Sequence, residues 1–137
     1  MKTVRYLVVS IFSGVVFGIL DGLVHANPIA QELLLVFQPI ARSSVNIPAG
    51  IAIDLMYGFV LAGIFLILYK SIPGKTGWTK GLNYGLFVWF LRVVMYVAST
   101  WMMFDVPQTT LFYLLLTGLG EMLVIGLIYG VFLKPES

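Results

Sequence analysis

The sequence contains no cysteine, which excludes disulfides, thiolate metal sites and thiol catalysis. Charge is nearly as scarce. Only 10 % of the 137 residues are charged, against about 25 % in soluble proteins. There is one histidine, His25, so a haem held between two histidines would need a second chain. The Glu-x-x-His pattern of di-iron bundles is also missing, and no Ser/His/Asp order stands out. The net charge of +2 comes from eight basic residues scattered along the chain. Without a basic cluster interleaved with aromatics, they give no nucleic-acid footprint.

What is abundant is apolar: 60 % of the residues are hydrophobic and the mean hydropathy is +1.00. A soluble domain of this size has no means of covering that much apolar surface. The composition predicts an all-α integral membrane protein, since helices close their own backbone hydrogen bonds in lipid. Four apolar runs of about the 20 residues needed to cross a bilayer lie at about 6–25, 47–69, 81–104 and 108–133. Val24-His25-Ala26 has the form of a signal-peptidase site, but Asp21 interrupts the apolar core. A retained first helix is therefore expected.

Between the first two runs, Asn27-Pro28 reads as a helix cap and first helical residue. Ile29, Leu33, Val36, Phe37 and Ile40 then recur at helical spacing. Too short to span and interrupted by Pro39, segment 28–40 is expected to lie at the interface as an amphipathic helix, with Arg42 making interfacial contacts.

The middle of the chain, Tyr69 to Lys80, gathers Lys70, Lys75 and Lys80 with Pro73 and two glycines. Together with Lys2, Arg5 and Lys134 these lysines fall on one side, whereas Arg42 stands with Glu32 and Asp105 on the other. The positive-inside rule places both termini and this hinge in the cytoplasm. Gly74-Lys75-Thr76 resembles the end of a phosphate loop, but Tyr69 stands where its first glycine belongs, and a membrane helix precedes it instead of a strand.

The two halves share a plan, which predicts two helix hairpins. Superposing Gly14-xxx-Gly18 on Gly81-xxx-Gly85 puts His25 opposite Arg92. Asp21-Gly22, the Tyr69-Lys70…Pro73-Gly74-Lys75-Thr76 turn, Lys80-Gly81…Gly85…Trp89, Glu121 and Tyr129-Gly130 follow in order. In this the chain resembles a widespread group of small uncharacterised four-helix bacterial inner-membrane proteins. The resemblance implies a fold and an inner-membrane location; it supplies no catalytic residue.

Five ionisable residues fall inside the spans: Asp21, His25, Asp54, Arg92 and Glu121. A charge near the bilayer centre costs about 2.5–3.5 kcal/mol on insertion scales, so each should face the bundle and find a partner. Depth along the helices predicts an Arg92–Glu121 ion pair bracing the bundle, with Asp21, His25 and Asp54 clustered nearer the outer surface as ion- or proton-binding candidates. With His25 neutral, three carboxylates face one guanidinium, an imbalance that asks for a bound proton or cation. His25 so near a helix end is more simply a hydrogen-bonding group than a metal ligand, and no metal or cofactor is expected. The pattern points to a small ion- or proton-coupled transporter or channel-like homo-oligomer in contact with lipid. The alternative is a non-catalytic accessory or assembly subunit of a larger membrane complex; a membrane enzyme or cofactor carrier using His25 is the third and least favoured reading.

Overall fold

In the computed structural model, residues 3–41 and 44–134 are described; Arg42, expected at the interface, lies outside them. The described chain is helical throughout, with four helices long and apolar enough to cross a membrane. This is a multi-pass membrane protein.

Helix α1 (Thr3–Ala26) hands over to α2 (Pro28–Leu33) through one side chain. Asn27 accepts from Ala30 N at 2.8 Å, capping α2, while its amide donates to Leu23 O at 2.9 Å and Val24 O at 3.1 Å, closing α1. One asparagine thus satisfies orphan groups of two helix ends. The amphipathic segment expected over 28–40, with Pro39 interrupting it, forms two pieces, because the chain tightens after Leu34 into a 3₁₀ segment, Leu35–Ile40, that accommodates Pro39. Ala30 is buried, but Ile29 and Ile40 at the ends of the apolar stripe are exposed, Ile40 by 82 %. The middle of the stripe, Leu33, Val36 and Phe37, is half-buried, so only its ends stand clear of the bundle.

Helix α3 (Ile47–Leu68) repeats the Asn-then-Pro opening, with Asn46 accepting from Ala49 N at 3.1 Å. The hinge follows, turning at Gly74 (φ 131°), a conformation that favours glycine. Thr76 then caps α4 (Gly77–Trp89) in a reciprocal box with Thr79, so the third span begins one turn earlier than the apolar run suggests. Lys80 is absorbed by the fold: its ammonium donates to Tyr69 O at 2.9 Å and Ile72 O at 2.7 Å, beyond the end of α3. The span continues through a π-helical segment, Phe90–Val94, into α5 (Met95–Met103). Helix α6 (Gln108–Phe132) completes the bundle.

Lipid is as apolar as leucine, so helices in a membrane associate by close backbone packing and interhelical hydrogen bonds. Both devices are present, and each occurs twice. Gly58 of α3 presses on α1 so closely that a Cβ there would run into Ser10 O and come within 2.8 Å of Gly14 N. Gly126 of α6 presses on α4 in the same way, its Cβ position meeting Gly81 O and lying 3.0 Å from Gly85 N. In return Gly14 faces Asp54 O and Leu55 Cα, and Gly85 faces Met122 O and Leu123 Cα. Ser10 and Gly14 thus answer to Gly81 and Gly85, a constant shift of 71 residues; Asp54, Leu55 and Gly58 answer to Met122, Leu123 and Gly126, a shift of 68.

The same shifts carry the hydrogen bond from Tyr84 to Leu61 O (2.7 Å) onto the Ser13–Tyr129 contact (2.9 Å). The two backbone crossings therefore repeat nearly atom for atom, and the contact between them joins equivalent positions. This register differs by one helical turn from the superposition of Gly14 on Gly81. Ser10, Gly14 and Gly18 form two overlapping small-residue pairs, and only the crossing shows that Ser10–Gly14 is the one in use. The corrected register sets Arg92 opposite Asp21, not His25.

Aromatic side chains fill the centre. Phe65 packs edge-on to Tyr69 and Tyr84 at 5.5 and 5.2 Å between centroids, and against Tyr129 at 5.9 Å. Tyr6, Tyr84 and Tyr129 donate to Phe59 O, Leu61 O and Gly58 O of α3. These hydroxyls bring the other three spans onto α3. Trp89, well inside its span, donates its indole N–H to Leu115 O at 2.9 Å, which is why a polar-edged ring is tolerated at that depth.

Candidate functional site

Nearer the α1–α2 connection the packing loosens into a cavity of about 170 Å³. Helix α1 supplies Asp21, Val24 and His25; the third span supplies Arg92, Val93, Tyr96 and Val97; α6 supplies Leu114, Thr117, Gly118 and Glu121. Four of the five intramembrane ionisable residues therefore meet in one place, although their depths predicted two separate groups.

His25 and Asp21 form the exposed rim, with side chains 53 % and 41 % accessible. His25 Nδ1 lies 2.8 Å from Asp21 O and 3.6 Å from Asp21 Oδ1. Their spacing of four residues places both on one face of α1, and this is the one contact within 4 Å between a basic side chain and a carboxylate among the described residues. Tyr96 stands at the same rim, and the Thr117 hydroxyl donates to Tyr113 O at 2.7 Å.

Glu121 is the inner wall. It is only 6 % exposed, and its Oε2 has no hydrogen-bond partner. Arg92 is the other charged wall, and its Nε is likewise buried and unpartnered. The expected Arg92–Glu121 ion pair is not made: no contact within 4 Å joins them. The guanidinium instead lies over the rings of Phe17 and Tyr57, each 4.9 Å from its centroid. These rings meet edge to face, 5.2 Å apart, and their π faces stabilise the cation by about 0.5–2 kcal/mol without neutralising it. Arg92 sits inside the π segment, where Met95 N bonds back to Phe90 O. Such single-turn expansions in α-helices occur frequently at functional sites.

Asp54 is half-buried and stands outside the lining, its Oδ2 only 2.8 Å from where a Gly18 Cβ would be. Four of the five ionisable residues thus surround the cavity, and Asp54 stands outside it against Gly18. No three metal-binding side chains converge among the described residues.

Sequence reasoning found these ionisable residues because charge inside an apolar run is conspicuous. It missed Phe17 and Tyr57 as the seat of Arg92, since aromatic residues in a membrane helix carry no comparable signal. No protein family, curated protein or solved structure matches the chain.

Proposed function

We propose that the protein is a small ion- or proton-coupled transporter or channel-like protein that works as a homo-oligomer. The observation that carries this reading is Glu121, a buried carboxyl with an unpartnered oxygen, lining a cavity with three other ionisable residues inside the membrane spans. Intramembrane acids are costly and mark ion and proton pathways. Three carboxylates against one guanidinium leave these intramembrane residues with capacity for a proton or a cation. Asp21 and His25 at the rim would pass the ion inward, Glu121 would hold it, and Asp54 would set the local field. Four helices form too thin a wall for a sealed aqueous path, hence the oligomer.

The location that fits is the bacterial inner membrane, with both termini and the lysine-bearing hinge in the cytoplasm. The four spans would form two hairpins, α1 with α3 and α4–α5 with α6, and Ile29 and Ile40 would rest in the lipid interface. The test is proton and monovalent-cation flux into liposomes containing the purified protein. Glu121→Gln and Asp21→Asn should each abolish most of the flux seen with the unaltered protein; unchanged flux in both sinks the reading.

A second reading, a non-catalytic accessory or assembly subunit of a larger membrane complex, is favoured by Gly22, Gly50 and Gly120, which face open space. Glycines on an outward face permit close approach by another helix. Extraction at native expression level followed by native mass spectrometry separates the two. A lone homo-oligomer supports transport, and recovery with larger unrelated subunits supports the accessory role.

A further inference from the structure

The cavity presents a guanidinium and a carboxyl group that do not meet. Arg92 and Glu121 both line it, each has a buried polar atom with no partner, and no contact within 4 Å joins them. In a low-dielectric interior an unpaired charge is expensive and a complementary one strongly favoured. Whatever occupies the cavity has to offer an acceptor to Arg92 and a donor to Glu121. A lone anion would satisfy Arg92 but add to an excess of negative charge already present. A lone cation would leave the guanidinium unanswered. A molecule carrying both charges answers both walls and brings no net charge into the membrane.

We propose that the cavity binds a small zwitterion of the α-amino acid type, with its carboxylate on Arg92 and its ammonium on Glu121. The inference names the substrate class of the cavity proposed above as the functional site, and rests on that reading. Arg92 keeps donors free for a carboxylate. It lies against the rings of Phe17 and Tyr57, which accept no conventional hydrogen bond from it, and its buried Nε has no partner. Glu121, an acceptor only when ionised, matches an ammonium with its three donors. Size sets the side chain. At about 30 Å³ per water, 170 Å³ holds about six waters, enough for an amino acid as small as glycine, alanine or serine. Val24, Val93, Val97 and Leu114 supply apolar walls for a methyl group; a cavity of about 150 Å³ holds a benzene alone, so a phenyl ring together with the ammonium and carboxylate would not fit.

The experiment is equilibrium binding of radiolabelled alanine to the purified full-length protein in nanodiscs, with unlabelled competitors. Saturable binding displaced by glycine, but not by equal concentrations of acetate, methylammonium or phenylalanine, is expected. Arg92→Lys and Glu121→Gln should each weaken it by at least about tenfold at unchanged thermal stability. Should either variant fail to fold, the competitor pattern on the unaltered protein decides alone. Absence of saturable alanine binding, or displacement by acetate as effective as by glycine, overturns the proposal. Alanine binding without ion flux keeps this inference and sinks the transport reading; Glu121-dependent proton flux without alanine binding does the reverse.

Discussion

Gly81 and Gly126 face each other so closely that a Cβ on either would strike the other's carbonyl oxygen. The contact is backbone to backbone, so no side chain can rotate aside to relieve it. Gly126→Ala should therefore cost at least the roughly 1–3 kcal/mol of ordinary overpacking. Gly120→Ala, on the same helix but facing open space, should change stability little, or raise it slightly through helix propensity. Unfolding of both variants in mixed micelles provides the comparison. Equal stability of the two would mean that α4 and α6 do not cross at these glycines.

The equivalence of the Tyr84–Leu61 and Ser13–Tyr129 contacts makes a second expectation. Tyr84→Phe and Tyr129→Phe each remove a buried hydroxyl donor to α3 with almost no change of shape. Hydrogen bonds between membrane helices average about 0.6 kcal/mol and reach about 1.7. Each variant should lose an amount in that range, with Tyr129→Phe losing more because its hydroxyl also contacts Ser13. A loss for Tyr84→Phe exceeding that for Tyr129→Phe in the same unfolding assay would contradict this ranking.

Much of this architecture is legible in the sequence because it depends on local signals. Asn27-Pro28 announces a cap, apolar runs announce spans, and Asp21, Arg92 and Glu121 are conspicuous inside them. The remainder depends on which faces meet. Spacing alone could not choose between Ser10–Gly14 and Gly14–Gly18 as the crossing pair, since both have the same period. Nor could depth reveal that Arg92 turns to Phe17 and Tyr57 instead of Glu121. A rise of about 1.5 Å per residue fixes height along a helix but says nothing about rotation, and the π segment at Arg92 alters that rotation locally. The extra turn at Gly77 is hidden in the sequence because Thr76 and Thr79 are polar and fall outside the apolar run.

Lys80 should differ from the other hinge lysines. Its ammonium closes two carbonyls beyond α3 and lies 4.9 Å from the Tyr69 ring centroid, whereas Lys70 and Lys75 are exposed. Lys80→Gln should destabilise the protein by about 1–3 kcal/mol, the scale of hydrogen bonds to a charged group. Lys70→Gln and Lys75→Gln should stay within about 0.5 kcal/mol of the unaltered protein. Three similar values would mean that Lys80 contributes only surface charge.

Glu121 distinguishes a brace from a functional site most sharply. Breaking a buried ion pair by removing one partner costs about 3–5 kcal/mol, because an uncompensated charge stays behind. Glu121 has no such partner within 4 Å, and its buried oxygen is already unpaired. Replacing it with an apolar residue of similar size removes a desolvated polar group and leaves Arg92 on its aromatic seat. Glu121→Leu should therefore keep or raise the stability of the purified protein while abolishing ion flux. Stability gained on loss of function is what a site maintained at the expense of the fold would show. A drop of several kcal/mol, with a matching drop for Arg92→Leu and no further loss when both are changed, would restore the bracing pair that the residue depths suggest.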